Sequence, residues 1–132
     1  MTRRRRRSDQ GSGTAEAAVV LPAAYLLILT LIQVAVWWYA AHAAHAVADV
    51  ALAAARADGG TPEQAQAEAA GLATQLGGRL LTNPTIRVER TTTTATVRVH
   101  ATAATLIPGL DLPVTVELTG PTERFTHPTG GG

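Results

Sequence analysis

The chain has 132 residues, a formal net charge of +1 and no cysteine. That length leaves room for one small folded unit beside any membrane segment, and the missing thiols exclude a disulfide framework and thiolate metal centres. The charge is also polarised: Arg3, Arg4, Arg5, Arg6 and Arg7 open the chain, whereas from Ser12 onward six Arg stand against nine Asp plus Glu, a balance of −3, which is not the footprint of a nucleic-acid-binding domain.

The arginines are followed by a short polar stretch, then Gly11-Ser12-Gly13-Thr14-Ala15-Glu16, then an apolar run. From Ala17 to Ala48 there is no Asp, Glu, Lys or Arg. Ala17 to Tyr39 is 23 residues, and at about 1.5 Å per residue a helix of that length exceeds the roughly 30 Å hydrocarbon core of a bilayer. Thr30 and Gln33 are its polar members, both of which a helix can hide or pair, and Pro22 near its start is tolerated in membrane helices. Trp37, Trp38 and Tyr39 close the segment as an interfacial aromatic belt. The arginines at the opposite end act as the topology signal. They predict a cytoplasmic N-terminus and an extracytoplasmic C-terminus, in a protein of the cell membrane that crosses it once.

Two other readings share parts of this pattern. A cleaved secretory signal peptide also starts basic, and Ala44-His45-Ala46 has small residues at cleavage-site spacing. Its apolar core, though, usually spans only about 7–15 residues. An arginine run can also bind nucleic acid, but beside a membrane segment it sets topology and attracts anionic lipid.

The helix need not stop at the belt. Ala40 to Ala57 is alanine-rich and free of Gly and Pro, and alanine is the best helix former. A single helix is expected from about Glu16 to Asp58, stopped by Gly59-Gly60. Thr61-Pro62-Glu63-Gln64 then carries the features of a new start: an N-cap Thr, Pro at the first helical position and Gln completing a capping box. Ala65, Ala69, Leu72, Leu76 and Leu80 form its apolar stripe. After Asn83-Pro84 the period falls to two. Ile86/Val88, Val97/Val99 and Val114/Val116/Leu118 alternate with polar residues, which predicts three half-buried strands in an antiparallel meander. Thr91 to Thr94 is the first turn and Leu106 to Leu110 lies in the second connection.

The organisation is therefore a basic leader over residues 1–11, a long helix over 12–58 containing the span, a small α+β domain over 59–125, and a disordered tail over 126–132. A domain this small is marginal alone and must lean on the helix that carries it.

Glu16 calls for its own explanation, because a carboxylate at the edge of hydrocarbon is costly without a partner. A basic leader ending in Gly11, four residues, Glu16, an apolar span and a small α+β domain together resemble the class III signal sequences of type IV pilin-like proteins. They most resemble the TadE-like family of pseudopilins in tight-adherence (Tad/Flp) pilus systems. The residues that carry the resemblance run from Arg7 to about Tyr39 and include Leu21-Pro22. Beyond the membrane the likeness is one of pattern, with strands ending in Glu123-Arg124. Ala17 stands where the processed pilins often have an aromatic residue.

The resemblance implies a pilin-like fold, cleavage by prepilin peptidase after Gly11, a new N-terminus at Ser12, and a pilus-assembly role alongside other pilin-like subunits. Cleavage would free an α-amine on Ser12 for Glu16 to pair with, in the same helix or a neighbouring one. The plainer alternative keeps Glu16 among headgroups at a helix N-terminus, favoured by the dipole, in an unprocessed membrane-anchored interaction module of an envelope complex.

Nothing in the chain has the pattern of an enzyme. Ser8 and Ser12, the serines, both precede the span, and no nucleophile has a base at an interpretable spacing. His42, His45 and Asp49 share a helix face, yet two histidines need further ligands to hold a metal. No cofactor, metal or small-molecule substrate is expected.

Overall fold

The computed structural model describes residues 10–124. The arginine run and the tail over 126–132 lie outside them, as does the side chain of Ser12. The protein is α+β, with helix α1 (Gln10–Arg56), helix α2 (Pro62–Gly77) and strands β1 (Leu81–Arg90), β2 (Thr94–Ala103) and β3 (Leu112–Pro121). The strands form one antiparallel sheet in the order β1-β2-β3.

α1 is longer at its start than its propensities predict. It opens at Gln10, not near Glu16, so Gly11 and Gly13 are helical. Each glycine costs about 1 kcal/mol relative to alanine there, but no proline or β-branched run stops the helix. Pro22 sits inside α1 without ending it. At the other end α1 stops at Arg56, two residues before the expected Asp58. The stop is built from two glycines. Gly59 has φ +72°, and a Cβ on Gly60 would strike the Ala54 carbonyl oxygen.

The chain divides into two compact units, the first ending at Val34 and the second starting at Ala35. In the first, α1 carries Val19, Leu21, Leu26, Leu27 and Leu31, each more than 60% exposed. By length and composition α1 could cross a membrane.

In the second unit, α1 from Ala40 onward and α2 pack on one face of the sheet. The core is made of small residues. Ala40, Ala44, Val47, Ala48, Ala51 and Ala55 come from α1, and Ala65, Ala69 and Ala73 from α2. The sheet contributes Val88, Ala95, Val97, Val99, Val114 and Val116. Alanine faces let helix backbones approach the sheet closely, which compensates for few large side chains. The alternation holds on all three strands: Val97 and Val99 are fully buried, while Arg98 and His100 face outward.

Two local expectations are corrected. The buried stripe of α2 is Ala65, Ala69, Ala73 and Gly77; Leu72 and Leu76 are half-buried beside it, and Leu80 lies past the helix end. Spacings of four and three drift across a 3.6-residue helix, and the straight i, i+4 ridge wins because only small residues fit under it. A Cβ on Gly77 would come within 2.6 Å of Leu81 Cβ. β1 also begins at Leu81, before Asn83-Pro84. The pairing shifts between Thr82 and Thr85, and Asn83 takes φ 49°. The proline is accommodated because it sits in an irregularity of an edge strand.

Candidate functional site

The helix entrance comes first in the chain. Gly11, Ser12, Gly13 and Glu16 all lie in α1. Ser12 and Glu16 are four residues apart, hence on one face and separated by about 6 Å along the axis. Glu16 is exposed and forms no ion pair among the described residues. The helix starts six residues before it, and a helix dipole acts mainly within the first turn. Its pull on Glu16 in the uncleaved chain is therefore small. A Cβ on Gly11 or Gly13 would meet nothing within 4 Å among the described residues, so packing against them does not require either glycine.

Within the apolar stretch Thr30 is satisfied by its own helix: its Oγ1 donates to the Leu26 carbonyl at 2.8 Å, a bond of the kind a hydrocarbon environment requires. Gln33 is buried and has a partner.

The aromatic belt is only partly free. Trp37 is exposed. Trp38 stacks on His42 at 5.6 Å between ring centroids. Tyr39 donates its hydroxyl to the Leu76 carbonyl at 3.0 Å, near the C-terminal end of α2, so the same ring that ends the apolar run also ties α1 to α2. Because Trp38 engages His42, the His42–His45–Asp49 face is not a ready ligand set. No group of three or more His, Asp or Glu is placed to hold a metal among the described residues.

At the opposite end of the folded unit, Arg90 closes α1. Its Nη1 donates to the Ala57 carbonyl at 3.0 Å and to the Gly60 carbonyl. Arg56 Nε donates to Pro121 O at 2.7 Å, and the Glu123 amide donates to Arg56 O at 3.0 Å. A shallow cavity of about 550 Å³ lies here, lined by Asp58, Arg90, Thr91, Thr92, Thr122 and Glu123 among others. The Arg90 guanidinium in it is already engaged by backbone carbonyls.

The open face of the sheet carries ordered polar rows. Arg87, Arg98 and Glu117 are directly opposed across the three strands, as are Glu89, Thr96 and Thr119, and Thr85, His100 and Thr115. Arg98 donates through Nε and Nη2 to Glu117 Oε2, at 3.0 and 2.8 Å. His100 Nδ1 and Thr115 Oγ1 are 2.8 Å apart. Period-two alternation puts Arg87, Arg98 and His100 on the wet face from sequence, but only the register brings the two arginines side by side.

No protein-family model, curated protein or solved structure matches the chain at a significant level.

Proposed function

We propose that the protein is a single-pass membrane pseudopilin of the TadE-like kind, a structural and assembly component of a Tad-type pilus or related secretion machinery. The observation that carries this reading is the entrance of α1. There two glycines without a packing role precede Glu16, and a charge-free stretch of exposed large apolar side chains begins at once. Membrane burial accounts for that stretch. A peptidase that needs a small residue on the leader side accounts for Gly11. Gly11 and Gly13 also weaken the first turns of the helix, so the bond after Gly11 opens to a protease at low cost. The C-terminal unit serves as the extracytoplasmic, partner-facing part, and the role is assembly, without a catalytic step.

The test is the intact mass of the membrane protein co-expressed with a prepilin peptidase. Loss of residues 1–11 is expected for the native chain and no loss for Gly11→Leu. An uncut native chain would leave the second reading, an unprocessed membrane-anchored interaction module. The continuous helix through Gly11 favours that reading. Loss of about 46 residues would indicate signal peptidase instead.

A further inference from the structure

Arg87 stands directly opposite Arg98 on the open face of the sheet. Like charges directly opposed across strands are destabilising, and such a pair calls for a shared counter-charge. The protein supplies only half of it. Glu117 holds Arg98 from the β3 side through a single carboxylate oxygen, whereas Arg87 has no hydrogen bond or ion pair from its side chain among the described residues. Glu89, the acid of β1, is opposite Thr96 and borders a small cleft with Arg87, Thr96 and Arg98 on the far side of the arginine pair, without an ion pair to either arginine among the described residues.

On the near side is a cleft of about 240 Å³ lined by Thr85, Arg87, Arg98 and His100. The four form a rectangle. Thr85 faces His100 and Arg87 faces Arg98 across the strands, about 5 Å apart; along each strand the corners are about 7 Å apart. The Thr85 hydroxyl is unpartnered among the described residues, and His100 uses Nδ1 toward Thr115, leaving Nε2. No carboxylate lines the cleft. Its charged groups are both guanidiniums, which suit oxyanions through charge-assisted hydrogen bonds. Two guanidiniums, a hydroxyl and an imidazole nitrogen around one cleft suit a tetrahedral group, which offers oxygens in several directions. A planar carboxylate would satisfy one fork and leave the rest.

The geometry points to a phosphate-binding site on the open sheet face, formed by Thr85, Arg87, Arg98 and His100, that takes a phosphate monoester or diester. The phosphate relieves the Arg87–Arg98 repulsion that Glu117 compensates from the Arg98 side alone. The site is independent of how the N-terminus of α1 is processed or assembled.

The test uses the full, ¹⁵N-labelled chain in maltoside micelles, which contain no phosphate, at constant ionic strength set with chloride. One arm is titrated with inorganic phosphate and the other with dihexanoyl phosphatidate. Saturable shifts of the Arg87 and Arg98 side-chain N–H signals and of the Thr85 amide are expected. Arg87→Gln should weaken binding by about tenfold, the loss of one charge-assisted hydrogen bond, and Thr85→Val should weaken it less. Saturation in both arms identifies the phosphate group itself as the ligand. Saturation with phosphatidate alone, still sensitive to Arg87→Gln, identifies a lipid headgroup as its source. The inference is overturned if neither arm saturates, or if binding is unchanged in both Arg87→Gln and Thr85→Val.

Discussion

Trp38 and His42 hold each other one turn apart on α1. The indole Nε1–H donates to His42 Nε2 at 3.2 Å, His42 Nδ1 lies 3.1 Å from the Trp38 carbonyl oxygen, and the rings are stacked. The two contacts together assign the tautomer. Nε2 must accept, so Nδ1 carries the proton and donates to the carbonyl.

Removing the Nε2 acceptor should therefore change Trp38 emission. Emission spectra of the full chain in micelles, compared with His42→Leu, check this. The Trp38 contribution should shift in the variant while the Trp37 contribution stays. A His42→Leu spectrum identical to that of the native chain would show that the imidazole does not hold the indole.

Glycines in α2 separate packing from propensity. Gly77 meets Leu81 Cβ at 2.6 Å when a Cβ is added, whereas Gly71, in mid-helix, meets nothing within 4 Å. Gly77→Ala should destabilise the folded unit by about 1–3 kcal/mol through overpacking. Gly71→Ala should stabilise it by about 0.5–1 kcal/mol through helix propensity. Thermal unfolding of both variants gives the signs. Equal signs would show that α2 does not approach β1 as described.

The architecture was largely legible from the chain because its signals are local. A Thr-Pro helix start, a glycine pair and period-two alternation each act within a few residues, and the Thr61 hydroxyl does accept from the Gln64 amide at 3.2 Å. What could not be read depends on residues far apart in sequence. Leucines at α2 spacing suggested a leucine core, yet the core chose the alanine ridge. That choice is made by how closely helix and sheet approach. The pairing of Tyr39 with Leu76 and of Arg90 with Ala57 and Gly60 needs the folded chain to bring its ends together. At the helix entrance the Gly11–Glu16 spacing was plain, but the start of α1 at Gln10 was not, since two glycines argue against a helix there.

Arg90 offers a test of how the end of α1 is held. One guanidinium nitrogen serves the Ala57 and Gly60 carbonyls just past the helix C-terminus, where a cation is also favoured by the dipole. Arg90→Met keeps the aliphatic stem and removes the donors. It should cost about 1–3 kcal/mol, the range for hydrogen bonds from a charged group, in urea unfolding followed by near-UV circular dichroism. Arg98→Gln is the control. It breaks an ion pair whose side chains are both 51% exposed, and such surface pairs contribute only about 0–1 kcal/mol. A larger loss from Arg98→Gln than from Arg90→Met would show that the open sheet face, and not the helix end, stabilises the unit.

Glu16 carries the last expectation, which rests on the pseudopilin reading. In the uncleaved chain it is in the second turn of α1, beyond the reach of the helix dipole and without an ion pair among the described residues. After cleavage behind Gly11 it would be the fifth residue, one turn from a cationic α-amine on Ser12. Two opposite charges at the edge of hydrocarbon are each costly alone and much less so together. Glu16 of one subunit could thus neutralise Ser12 of the next and fix their axial register. Glu16→Ala should insert normally, since the span becomes more apolar, and should be cut like the native chain, but recovery of pilin-like partners by crosslinking in membranes should fall. Glu16→Gln should behave like Glu16→Ala, because what is lost is charge and not volume. If both variants crosslink as the native chain does while still being cut, Glu16 has no part in assembly and is simply an acid at headgroup level.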